Sequence, residues 1–176
     1  NINNMSKKSG KSTNQLNAIV LDRPRNQYIV NELKELDVNI EMISDGDIVA
    51  SLRVASEEAD IYMGIGSAPE GVITATAVRG LGGFFDGRLH FHSDEAKKRA
   101  IEMSDHSIEE KIDINKLCAS DNSMFIATGV CDGWIPGVVI ENDTAFTSSL
   151  LIDVRAGKMT KLSHSYSVSE VNQYIL

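Results

Sequence analysis

The chain has 176 residues, 42% of them hydrophobic and 24% charged, with a formal net charge of −8. That is enough for one domain with a real core, and the acidic balance argues against nonspecific nucleic-acid binding, which needs a basic face. No apolar run approaches the roughly 20 residues of a membrane-spanning helix, and no charged-then-apolar leader suggests export. Cys118 and Cys131 lie far apart without metal-ligand spacing, so the expectation is a reduced, cytoplasmic protein with neither a nucleic-acid nor a membrane partner.

Asn1 to Gln15 are polar and rich in Asn, Ser and Lys, and read as a linker or helix remnant ahead of a single α/β domain over residues 16–176. Gly10-Lys11-Ser12-Thr13 looks like the end of a phosphate-binding P-loop. That loop needs a glycine where Met5 stands and an apolar strand ahead of it, so the motif is set aside.

From Leu16 the pattern alternates. Ala18 to Leu21 reads as a short buried strand, and Pro24 is tolerated at a helix start because its missing N–H has no intrahelical partner there. Ile29, Leu33 and Leu36 recur at helical spacing, and Val38 to Ile43 form a second strand. A helix follows from Asp47, carrying Ile48, Val49, Leu52 and Val54. Ile61 to Met63 is a brief third strand. Pro69 and Glu70 open a helix that Gly80 closes.

Beyond it, Gly82 to His92 reads as a strand or hairpin and Asp94 to Met103 as a charged, exposed helix. Met124 to Ala127, Gly137 to Ile140, Ala145 to Asp153 and Lys158 to Tyr166 read as strands. The fold expected is a layered α/β sandwich, a mixed sheet with helices on both faces and an antiparallel C-terminal part.

Three apolar strands thus end in polar turns: Asp22-Arg23-Pro24-Arg25, Asp45-Gly46-Asp47, and Gly64 to Gly71. In parallel sheets such turns converge on the ligand crevice. Arg23 and Arg25 flank Pro24, and two guanidinium forks suit phosphate oxygens, although a solvated pair near Glu32 or Glu35 is the alternative. Asp45 and Asp47 could accept hydrogen bonds from sugar hydroxyls or hold a divalent cation. Asp is equally favoured in a turn and at a helix N-cap. Glu70 stands where a helix dipole favours a carboxylate. The glycines around it let a backbone approach a ligand. Together these turns suit an anionic, hydroxyl-rich ligand such as a sugar phosphate.

Other residues have plainer readings. His90, His92 and Asp94 have metal-like spacing but no further ligands, and fit a polar edge strand. Ser163-His164-Ser165 lacks the elbow turn of a nucleophile. Trp134 reads as loop packing, and both cysteines as small apolar residues.

At Val20 to Arg25, Ile43 to Asp47 and Met63 to Val72 the sequence resembles the C-terminal half of class II fructose-1,6-bisphosphatase, of the lithium-sensitive phosphatase superfamily. Weaker likeness continues through Arg79 to Gly83, Ala119 to Gly129 and Ser149 to Ile152. The resemblance implies that Arg23 and Arg25 bind substrate phosphate, that Asp45 and Asp47 contact the sugar, and that Pro24, Gly46 and Ser67 belong to the same substrate site. It implies Glu70 as a metal ligand for Mn²⁺ or Mg²⁺. Ser67 stands where the family often has glycine, and Asn26 where a histidine commonly follows the arginine.

The family's Asp-Pro-(Ile/Leu)-Glu-Gly-Thr motif, which carries most of its metal ligands and the threonine near the attacking water, does not occur here. The implied reaction is hydrolysis of the 1-phosphate of fructose 1,6-bisphosphate in gluconeogenesis, with sedoheptulose 1,7-bisphosphate as a possible second substrate. On this expectation the chain supplies no catalytic residue, is inactive alone, and partners a missing N-terminal half in a homo-oligomer. The rival is a noncatalytic sugar-phosphate-binding module.

Overall fold

The computed structural model describes residues 1–104 and 107–171. Its first part alternates helix and strand: α1 (Ile2–Ser9), β1 (Asn17–Leu21), α2 (Gln27–Glu35), β2 (Asn39–Ile43), α3 (Asp47–Ala55), β3 (Ile61–Met63) and α4 (Ala68–Gly80). The three strands are parallel, in the order β2-β1-β3. Central β1 is a continuous apolar run because both of its faces are covered, and Ala18 to Leu21 are all buried.

Alternation along β1 sends Ala18 and Val20 to one face. There they pack with Leu16, with Ile29, Val30 and Leu33 of α2, and with Ile2. The polar N-terminal segment is therefore a helix that anchors itself through Ile2, with Met5 packed alongside. Gly10 ends that helix at φ 72°, and Lys11 pairs with Asp60 at 2.6 Å. The Gly10–Thr13 motif is thus a helix end and a turn.

The connection from β1 leads to β2 on one side, and the next crosses back past β1 to β3. Right-handed crossovers then place α2 and α3 on opposite faces of the sheet. The chain diverges after β1 and β3, so the topological switch point lies between these two strands, at their carboxyl ends.

The second part holds α5 (Asp94–Met103), α6 (Ile114–Leu117), β6 (Met124–Thr128), β7 (Val139–Glu141), β8 (Thr144–Asp153), β9 (Lys158–Ser167) and α7 (Val168–Val171). β8 is the middle of an antiparallel sheet. β9 pairs along its whole length, while β6 and β7 share the opposite edge. Leu150 and Ile152 of β8 and Phe125 of β6 join Leu52 of α3 and Ala77 of α4 in a second core cluster. Helices α3 and α4 therefore lie between the sheets, giving the layered α/β sandwich expected. Its parallel and antiparallel strands occupy separate sheets.

One segment differs from expectation. Between Gly82 and His92 only Asp86–Gly87 (β4) is a strand, pairing with Ile112–Asp113 (β5). A two-residue partner cannot support a longer ladder, and Phe84 is left 81% exposed. His90 and His92 consequently lie outside any strand. Cys131 is also exposed, not the packed residue expected, whereas Cys118 is buried.

Candidate functional site

Past the end of β1 the Asp22 amide donates to Ile43 O at 2.7 Å, carrying the β1–β2 ladder one step further. Arg23 is extended, as a residue before proline should be, and Pro24–Asn26 form one turn of 3-10 helix. Asn26 is fully buried. Its Nδ2 donates to Leu21 O at 2.8 Å and its Oδ1 accepts from the Ile65 amide at 3.0 Å. Arg25 Nε donates to Ile65 O at 2.7 Å. One residue in the loop after β3, Ile65, is thus held through both of its backbone polar groups by Asn26 and Arg25, across the switch point.

The two arginines behave differently. Arg25 reaches across to the third loop, and its terminal nitrogens make no hydrogen bond to the described residues. Arg23 turns back locally, Nη1 donating to Asp22 O at 2.9 Å.

The two aspartates diverge as well. Asp45 Oδ1 accepts from the Gly46 amide at 2.9 Å, closing the turn on itself. Asp47 begins α3 behind Gly46, whose φ is 97°. The charge of the Asp47 carboxylate is felt at the half-buried Tyr62 hydroxyl. Burial first, then the charge of Asp47, push that hydroxyl far above its ordinary range, while Arg25 acts in the opposite direction.

The third loop closes over these groups. Ser67 and Glu70 form a reciprocal capping box at the start of α4, with the Ser67 amide donating to Glu70 Oε2 at 3.0 Å. The Ser67 amide and hydroxyl, with a smaller contribution from Arg25, hold the Glu70 carboxyl below its ordinary range. Gly66 passes so close that a Cβ there would lie 2.8 Å from Asp47 Oδ2 and 3.5 Å from Glu70 Oε2. Arg25, Asp47, Ser67 and Glu70, from three separate loops, therefore surround one stretch of backbone.

The arrangement pairs a guanidinium with two carboxylates beside the N-terminus of α4, where the capping box already takes the Ser67 and Glu70 amides and Pro69 has none. It can hold an anionic group and accept hydrogen bonds from hydroxyls. The described residues do not by themselves make a metal centre. No three His, Cys, Asp or Glu among them converge to hold an ion, and hard divalent cations take about six oxygen ligands.

Asn26 and Tyr62 escaped the sequence reading as structural parts of the site. The available signals were a polar residue directly after a strand-end turn and an aromatic hydroxyl two positions before Gly64. The other residues singled out belong elsewhere. Trp134 packs against the second core cluster and donates Nε1 to Glu58 Oε1 at 2.7 Å. Ser163, His164 and Ser165 are exposed on β9, and His164 stacks on Tyr166 with centroids 6.1 Å apart.

The sequence model of the family described as bacterial fructose-1,6-bisphosphatase, glpX-encoded, matches residues 1–166, including the polar segment before β1. Three curated relatives are each named D-fructose 1,6-bisphosphatase class 2/sedoheptulose 1,7-bisphosphatase. The protein of Prochlorococcus marinus strain MIT 9515 is 36% identical, over 78% of this chain and 46% of its own length. That of P. marinus subsp. pastoris strain CCMP1986 is 37% identical over the same shares, and that of strain NATL1A is 36% identical over 86% and 50%. The chain spans about half the length of the curated relatives it matches.

Proposed function

This chain belongs to the bacterial, glpX-encoded fructose-1,6-bisphosphatase family, and we propose that it forms the substrate-holding C-terminal half of a sugar-bisphosphate phosphatase. The observation that carries this reading is the meeting of Arg25, Asp47 and Glu70 at the switch point. The intact protein would hydrolyse the 1-phosphate of fructose 1,6-bisphosphate. The relatives' names support sedoheptulose 1,7-bisphosphate as a second substrate.

In this reading the free end of the Arg25 guanidinium takes a phosphate, presenting parallel N–H donors to its oxygens. Asp47 accepts hydrogen bonds from sugar hydroxyls. Arg23 adds charge at the mouth and Asp45 borders the sugar, each from a locally closed turn, with Pro24, Gly46 and Ser67 shaping the same loops. Glu70 contributes one carboxylate to a site for Mn²⁺ or Mg²⁺ whose other ligands this chain does not supply. Binding and orientation, which can account for a large part of a barrier reduction, are this chain's share. The rest falls to the half of the relatives that it does not match.

Two measurements test the proposal. The full-length protein should release phosphate from fructose 1,6-bisphosphate with Mn²⁺ or Mg²⁺, and this chain alone should bind the sugar bisphosphate in calorimetry and release none. Absence of turnover in the full-length protein would sink the reading. Robust release by this chain alone would place the catalytic centre among its own residues.

A further inference from the structure

We infer that an open apolar face between α4 and the antiparallel sheet is where the half of the relatives that this chain does not match docks, reaching Glu70 as it does so. The inference rests on the reading of this chain as one half of a longer enzyme, and names the surface on which the other half sits.

The face continues the second core cluster. Along α4, Glu70, Ile73, Ala77 and Gly80 follow one another at spacings of three and four, which lines them up as a single stripe. The C-terminal end of that stripe is closed. Ala77 packs with Leu150 and Ile152, and a Cβ at Gly80 would run into Ile152. One turn nearer the crevice, Ile73 is 45% exposed. The sheet opens in the same way. Alternation along β8 puts Phe146 on the face of Leu150 and Ile152, and Val139 of β7 stands directly opposite it. Phe146 is nevertheless 45% exposed and Val139 46%. Both walls of this core therefore run on past the last layer that fills it.

Area, length and chemistry identify the occupant. The chain has a mass of 19.2 kDa and exposes 11701 Å², whereas a folded monomer of that mass exposes roughly 8,400 Å². The excess, about 3,300 Å², is on the scale that one side contributes to a large obligate interface. The relatives carry about as much sequence again outside the part that this chain matches. Glu70 ends the open stripe, and the described residues bring no cluster of further ligands to it, although a hard divalent cation takes about six oxygens. A second copy would bring only the side chains this one already has. The unmatched half brings new ones, and a body seated on Ile73 lies one helical turn from the Glu70 carboxylate.

The test is thiol labelling of the full-length protein. Ile73→Cys and Phe146→Cys each replace a half-exposed residue, in a Cys131→Ser background because that native thiol is exposed. Each new thiol should react with a maleimide at least about tenfold more slowly than in the urea-unfolded protein, since attack must await opening of the interface. The protection should persist on about hundredfold dilution, as an intrachain contact does, and should be lost in this chain alone. Hydrogen exchange in the unsubstituted proteins makes the same comparison without a variant: β7 and the first turns of α4 should exchange more slowly in the full-length protein than in this chain. Labelling of the native full-length protein at the unfolded rate, with exchange no slower than in this chain, would overturn the inference. Protection that appears in this chain alone and falls away on dilution would overturn it in favour of a second copy. Neither measurement involves substrate, so a full-length protein that shields both thiols but releases no phosphate would remove the phosphatase reading and leave the docking face standing.

Discussion

The buried carboxamide of Asn26 ties Leu21 to Ile65: it donates to one carbonyl at 2.8 Å and accepts from the other residue's amide at 3.0 Å. β1 and the loop after β3 are thereby held at a fixed separation by a side chain with no exposed surface.

Asn26→Ala should therefore destabilise the fold by about 1–3 kcal/mol, since it leaves the Ile65 amide without its partner, while Leu21 O keeps the Arg23 amide at 2.9 Å, and a buried group left unpaired costs about that much. Chemical denaturation would measure it. A change below about 0.5 kcal/mol would mean that water replaces the carboxamide without loss.

The two arginines should separate in binding. Arg25→Ala is expected to weaken fructose 1,6-bisphosphate by about 1.5–3 kcal/mol, as losing a charge-assisted contact does. Arg23→Ala, which breaks a bond to its own neighbour's carbonyl, should cost much less. Arg25→Lys should not restore affinity, because an ammonium cannot bond Ile65 O and present a planar fork at once. Calorimetry on the three variants decides it, and equal losses at Arg23 and Arg25 would contradict the assignment.

The two carboxylates beside Gly66 should also part company. Glu70→Gln keeps an acceptor for the Ser67 amide, so the unfolding midpoint should hold while the metal activation curve of the full-length enzyme shifts. Asp47→Asn should chiefly raise KM. If Glu70→Gln keeps the parent's activation curve, Glu70 has no place at the metal.

Acid stability should report Asp60. Burial raises its carboxyl, but Lys11 and the Asn17 amide outweigh that and hold it below the ordinary aspartate range. A folded value below the unfolded one gives stability that is present above the unfolded pKa and lost as pH falls through the folded one. Asp60→Asn should therefore cost roughly 1 kcal/mol at neutral pH and flatten the loss of stability below about pH 4. Denaturation midpoints across pH 2–7 would show it, and parallel curves for parent and variant would refute it.

The sequence made the backbone plan legible because its signals are local. Ile61–Met63 and Asp94–Met103 have the bounds that periodicity and flanking residues indicate. Ser67, Pro69 and Glu70 mark the start of α4 by the ordinary chemistry of helix caps. Tertiary pairing was not legible. Gly82 to His92 has strand composition but only a two-residue partner, which no local pattern reveals. Nor could spacing indicate that Arg25 reaches the loop after β3 while Arg23 bonds its neighbour. Asn26 and Tyr62 sit beside groups distant in sequence, so the local signals at each, a polar residue after a turn and an aromatic hydroxyl near a glycine, do not by themselves mark them.

The strand pairings also bear on how the chain reaches this fold. Among the described residues, the paired strands most distant along the chain are β1 and β3, joined at Ala18 and Ile61, and the β8–β9 ladder closes around a short turn. Loop-closure entropy grows with the length of chain enclosed, and folding slows as contacts become less local. Each sheet can therefore assemble from its own stretch of sequence before α3 and α4 bring the two together. If docking of the two layers limits folding, substitutions at Leu52 or Ala77, where α3 and α4 meet the antiparallel sheet, should slow it more than substitutions within either sheet.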